Sequence, residues 1–89
     1  MVQKQATIGS SAGLHARPAK LFVEKVQQTG IPVTIAREGG APLNAGSILS
    51  LMGLGAEKGT VVTLEAEGEG AESALDELVA FLETDHDAA

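Results

Sequence analysis

Cysteine is absent from all 89 residues, and that one absence removes disulfide staples, thiolate metal sites and cysteine nucleophiles together. A chain without thiols suits a reducing compartment such as the cytoplasm. Basic residues are scarce too. Six Lys and Arg stand against twelve Asp and Glu, a formal net charge of -6. DNA and RNA binding needs the opposite balance, because the counterion-release term requires a basic surface. No apolar run approaches the roughly 20 residues of a membrane span. No charged segment followed by an apolar core opens the sequence, so neither membrane insertion nor export is expected. Repeats and low-complexity linkers are missing as well. What remains is one domain over residues 1–89, too small to enclose a substrate beside a cofactor domain.

The charge that is present is sorted along the chain. Lys4, Arg17, Lys20 and Lys25 fall in the first third, while acidic residues from Glu65 to Asp87 crowd the last. A locally basic face near residue 15 would attract an acidic protein partner, whereas the acidic residues read as the solvated face of a C-terminal helix.

Hydrophobic periodicity sets out the elements. Val2, Lys4, Ala6 and Ile8 alternate with Gln3, Gln5 and Thr7, a strand weak on its own that runs into Gly9-Ser10-Ser11. Ala19, Phe22, Val23 and Val26 then keep helical spacing until Thr29-Gly30 closes the helix. Ile31, Val33 and Ile35 alternate in a second strand, and Gly39-Gly40 turns the chain toward a short return at Leu43, so residues 31–44 form a hairpin. Ser47 is placed to cap a short helix from Ile48 to Met52 or Gly53, ended by Gly53 and Gly55. Thr60 to Ala66 is a β-branched strand with Val62 and Leu64 toward the core. Ala71, Ala74, Leu75, Leu78, Val79 and Leu82 return to helical spacing over 71–83, before an acidic tail at 84–89 that frays.

The order βαββαβα, with two helices that each need an apolar surface to cover, is satisfied by an α+β open-faced sandwich. Three helices lie on one face of a four-stranded antiparallel sheet, and the other face is left to water. The short middle helix does not fit a one-sided pattern. At about 100° per residue, Ile48, Leu49, Leu51, Met52 and Leu54 spread over most of its circumference. Such a helix is either wedged between layers or offers an apolar patch to a partner.

The chemistry concentrates in Gly13-Leu14-His15-Ala16-Arg17-Pro18-Ala19. Proline is at ease in the first helical turn, where its missing N–H would find no partner, so Pro18 predicts a helix beginning near residue 16 or 17. His15 then sits at the positive end of the helix dipole, beside the free N–H groups of Ala16 and Arg17 and within reach of the Arg17 guanidinium. That environment disfavours a protonated ring and welcomes an anion, which suits a histidine that carries a phosphoryl group. Arg17 can give paired, charge-assisted hydrogen bonds to phosphoryl oxygens. The one other histidine, His86, lies in the polar tail Thr84-Asp85-His86-Asp87 with none of these features and reads as solvated.

Residues 13–19, together with Ser47-Ile48-Leu49-Ser50-Leu51-Met52-Gly53-Leu54-Gly55 and Gly59-Thr60-Val61-Val62, resemble the two signature regions of the HPr family. These are the histidine-containing phosphocarriers of the bacterial phosphoenolpyruvate:sugar phosphotransferase system. The resemblance covers essentially the whole chain. It implies that enzyme I phosphorylates His15 at Nδ1 and that the group passes on to IIA domains of sugar permeases. It also implies that Ser47 matches the serine modified by HPr kinase/phosphorylase in many Gram-positive bacteria, and that Ala16, Lys20, Ile48, Leu49 and Met52 form the docking surface, with Leu51 and Leu54 in the core. A cytoplasmic monomer without metal or cofactor is the corresponding expectation. The chain departs from the family pattern at Ala12, where Ser or Asn is frequent, at Gly46, where Lys is common, and at Ser50, where Gly or Lys is usual.

Two rival functions follow from the same residues. An autonomous histidine phosphatase would need a second basic cluster or a general acid, and the sequence offers neither. A purely regulatory relative acting through Ser47 would have no use for the intact His15 and Arg17.

Overall fold

Alternation decides the first strand, β1 (Val2–Thr7), in which Gln3, Gln5 and Thr7 are exposed while Ala6, and Ile8 just beyond it, are buried. The structure, a computed structural model, describes residues 2–9, 16–55 and 57–84, with side chains for all of these except 16–18. Helix α1 (Ala16–Thr29) buries Ala19, Phe22, Val23 and Val26, and Gly30 ends it at φ 69°. Strand β2 (Val33–Arg37) and the two-residue β3 (Leu43–Asn44) make the expected hairpin, although β2 begins two residues later than alternation alone suggests. Helix α2 (Ile48–Leu54), strand β4 (Val61–Ala66) and helix α3 (Ala71–Glu83) complete the order.

The sheet is antiparallel throughout, in the order β1-β4-β2-β3. β4 is the shared inner strand. Val2 faces Ala66 and Thr7 faces Val61 on one side of it, while Val33 faces Ala66 and Arg37 faces Val62 on the other. Because side chains alternate along each strand, this register gathers Ala6, Val33, Ile35, Val62, Leu64 and Ala66 on one face. The helices cover that face, α3 over β1 and β4, and α1 against both α2 and α3. Gln3, Gln5, Thr34, Thr63 and Glu65 occupy the other side, where Gln3 Nε2 donates to Glu65 Oε1 at 2.8 Å. This is the open-faced α+β sandwich.

One core cluster joins the layers, centred on Phe22, Ile35, Leu51, Leu64, Leu75 and Leu78, each at most 1 % exposed. Phe22 meets Phe81 of α3 with ring centroids 6.0 Å apart and planes tilted by 42°, an arrangement that adds about 0.5–1.5 kcal/mol to the area buried.

The expected end of α2 is corrected by the structure. Gly53 lies inside the helix, and Gly55, at φ 67° and ψ 27°, is the residue that stops it. Leu54 explains the extra turn. It is 6 % exposed, and burying a leucine is worth about 1.5–3 kcal/mol, more than the roughly 1 kcal/mol lost by a helical glycine.

Candidate functional site

α1 starts at Ala16, directly after His15 in the chain, and the first turn of this 14-residue helix contains no acidic residue. Its positive end is therefore not neutralised from within the helix. The amides of Ala16 and Arg17 belong to the first-turn set that has no partner inside the helix. His15, the Arg17 side chain and His86 lie outside the described residues or side chains. Lys20, one turn further along α1, is exposed.

α2 sorts its apolar residues by depth. Leu51 is 0 % exposed and closes the core, whereas Leu49 is 80 %, Met52 48 % and Ile48 36 % exposed. Both alternatives raised by its all-round apolar pattern hold at once: one side is wedged against α1 and β3, and the other is presented to solvent. Ser47 caps the helix in extended conformation, φ -117° and ψ 121°, its Oγ accepting from the Ser50 N–H at 3.4 Å. The opposite end of α2 is held from outside. Arg37 at the end of β2 donates from Nη1 to the Leu54 carbonyl at 3.3 Å, a cation at the negative end of a helix with no basic residue in its own last turn.

Lys4 does not contribute to a basic face near residue 15. Its Nζ lies 2.8 Å from Asp76 Oδ1 and 3.7 Å from Glu72 Oε1, so it fastens α3 to β1. The hydrogen bond to Asp76 holds the ammonium above the usual lysine range, and the charges of Asp76 and Glu72 add to this while partial burial pulls the other way. Lys25 is also engaged, 5.8 Å from the centroid of the Phe81 ring. Neither tie was read from the sequence. The signal for Lys4 was there: it shares a strand face with Val2, Ala6 and Ile8, and a lysine in phase with core residues needs acidic partners.

The chain leaves β1 through a tight junction. Ile8 N–H donates to the Thr60 carbonyl at 2.9 Å, Gly59 N–H to the Ile8 carbonyl at 2.8 Å, and Gly9 N–H to the Leu82 carbonyl at 2.9 Å. Thr7 N–H points to Glu83 Oε2 at 3.4 Å. The last turn of α3 thus grips the residues that lead into the histidine segment. Among the described residues no group of three or more His, Cys, Asp or Glu is placed to hold a metal ion, and no helix is long and apolar enough to cross a membrane.

Comparison with known proteins bears on this geometry. The family profile described as "PTS HPr component phosphorylation site" matches residues 2–84. The chain belongs to the HPr family. Members of this family are the phosphocarrier component of the phosphotransferase system. The phosphocarrier protein HPr of Streptomyces coelicolor is 47 % identical over 78 residues, covering 88 % of this chain and 84 % of its own. The solved structure of HPr from Bacillus anthracis superposes with a TM-score of 0.85 at 37 % identity, over 91 % of this chain and 95 % of that one. The protein Crh of Bacillus subtilis, described as a domain-swapped dimer, matches with a TM-score of 0.73 at 39 % identity, over 96 % and 97 % of the two chains. The βαββαβα order and the antiparallel four-stranded sheet are those of the family.

Proposed function

We propose that this chain accepts a phosphoryl group on His15 from phosphorylated enzyme I and hands it to IIA domains of sugar permeases. The observation that carries the reading is a 14-residue helix that begins at Ala16 and has no acidic residue in its first turn, so that the residue before it meets an uncompensated positive helix end. In that field the neutral imidazole is favoured. A lone pair at Nδ1 attacks phosphorus, the P–N bond forms as the bond to the donor breaks, and the donor keeps the electron pair. Onward transfer reverses the sequence on the IIA acceptor.

Arg17 and the amides of Ala16 and Arg17 are assigned to the phosphoryl oxygens. A helix end contributes about 0.3–1 kcal/mol to an anion, or about 2 when partly buried, which stabilises the intermediate without trapping it. The exposed Ile48, Leu49 and Met52 support the assignment of α2 as the docking surface, with Ala16 and Lys20 beside it. Ser47 is the site assigned to HPr kinase/phosphorylase. A phosphate there would bring about -1.5 to -2 charges to the margin of an apolar patch and oppose an acidic partner. The carrier is taken as one domain, monomeric and cytoplasmic. Sedimentation is the check on its oligomeric state, since Crh is described as a swapped dimer.

Incubation with enzyme I and labelled phosphoenolpyruvate tests the reading. An acid-labile label that disappears in His15→Ala is expected. Label that persists in His15→Ala, or no label on the wild type, refutes it.

A further inference from the structure

Gly9 is a glycine for reasons of space. Its φ lies outside the left-handed region, yet a Cβ built on it would stand 2.7 Å from the Glu83 carbonyl carbon and closer still to the oxygen. Both atoms are backbone, so no flexible side chain can swing aside. A methyl carbon packs at roughly 3.5 Å from such atoms, so any side chain at this position must drive the end of α3 away by about an ångström. The hydrogen bond from Gly9 N–H to the Leu82 carbonyl, at 2.9 Å, depends on that close approach. The Thr7 N–H to Glu83 carboxylate contact at 3.4 Å reinforces it from the neighbouring residue.

We infer that Gly9 is a positioning residue for phosphoryl transfer, locking the root of the histidine segment onto the last turn of α3. The inference rests on the assignment of His15 as acceptor. His15 is bounded on its C-terminal side by the first residue of α1 and on its N-terminal side by residues 10–14, whose starting point is Gly9. α1 fixes one end of the acceptor segment. The Gly9 junction with α3 fixes the other, and the ring must meet the phosphorus in line. Displacing one anchor by about an ångström misaligns the attack, an error of a size that costs on the order of 100-fold in rate. Docking is served elsewhere, since α2 rests on α1 and β3 while Gly9 rests on α3. The junction therefore governs the transfer step and not the encounter.

The test compares wild type, Gly9→Ala and Glu83→Ala as phosphoryl acceptors from enzyme I, measuring kcat and KM by rapid quench and affinity by calorimetry. Gly9→Ala is expected to lower kcat by about 10- to 100-fold with KM and affinity unchanged. Glu83→Ala, which inserts no atoms and removes only the carboxylate at Thr7, is expected to lower kcat several-fold in the same pattern. The His15 imidazole resonances should shift in both variants while those of α2 stay in place. Wild-type kcat in a folded Gly9→Ala, or a rise in KM with kcat intact, overturns the inference. If Gly9→Ala does not fold, Glu83→Ala decides alone, and wild-type kcat there overturns it. Absence of acid-labile label on the wild type is a separate result that defeats the carrier reading itself.

Discussion

Leu49 and Leu51 are two residues apart on one short helix and should fail in opposite ways when each is cut to alanine. Full burial of a leucine is worth about 1.5–3 kcal/mol. Leu49 is 80 % exposed, so folding realises about a fifth of that, some 0.3–0.6 kcal/mol. The remaining four fifths, about 1.2–2.4 kcal/mol, is available only when a partner covers α2, and corresponds to about 8- to 60-fold in Kd. Leu51 is 0 % exposed, and its truncation leaves a cavity costing about 2–5 kcal/mol. For a domain of this size each kcal/mol lowers Tm by about 4–8 °C, so Leu51→Ala should melt at least about 8 °C lower. Leu49→Ala should melt within about 5 °C of wild type on the same scale. Calorimetric titration with enzyme I, paired with thermal melts of both variants, reads the two effects separately. Unchanged affinity in Leu49→Ala would remove α2 from the docking surface, and a large fall in its Tm would show the side chain to be structural.

Three further outcomes follow from the ties around the sheet and helices. Lys4 has its pKa raised in the fold by Asp76 and Glu72, so the stability it adds is complete below the unfolded lysine value near about 10.4 and is lost as pH rises through the higher folded value. Urea midpoints of wild type should therefore approach those of Lys4→Met above about pH 10, and curves that stay parallel would contradict the pairing. Because both carboxylates are largely exposed, the gap should narrow in high salt. Arg37→Met removes the donor to the Leu54 carbonyl and should destabilise by about 0.5–1 kcal/mol, with hydrogen exchange speeding up in α2 more than in α1. Uniform exchange would mean that the contact does not hold the helix. Ser47→Ala should cost about 1 kcal/mol by uncapping α2, whereas Ser47→Asp keeps a capping oxygen, preserving stability while weakening enzyme I binding. An aspartate variant as unstable as the alanine variant would refute the cap.

The parts of the fold that sequence could show are those set by local period. α1 and α3 carry one apolar stripe each, and Ser47 before an apolar run marks a helix start whatever lies around it. α2 was ambiguous because five apolar residues encircle it, and only the positions of α1 and β3 decide that Leu51 goes inward and Leu49 outward. Gly53 misled for a related reason: local propensity said stop, and the distant core that takes up Leu54 said continue. Lys4, Arg37 and Gly9 act on residues from 17 to 74 positions away, so their partners exist only once the sheet register is fixed. At the candidate site, the helix start at Ala16 was legible from Pro18, whereas the grip of α3 on Gly9 left no mark in the local sequence.

The sheet order has a consequence for how the chain is made. β1 is the first element to be synthesised, yet its strand partner is β4, with Val2 matched to Ala66 and Thr7 to Val61. On a ribosome adding about 5–20 residues per second, that first strand waits several seconds for the one that will receive it. Pairing across such a separation is slow to close even in the finished chain. Gln3, Lys4 and Gln5 make the waiting segment polar, so it is poorly suited to aggregate with copies of itself in the interval. The weakness that β1 shows as an isolated strand then counts as protection during biosynthesis.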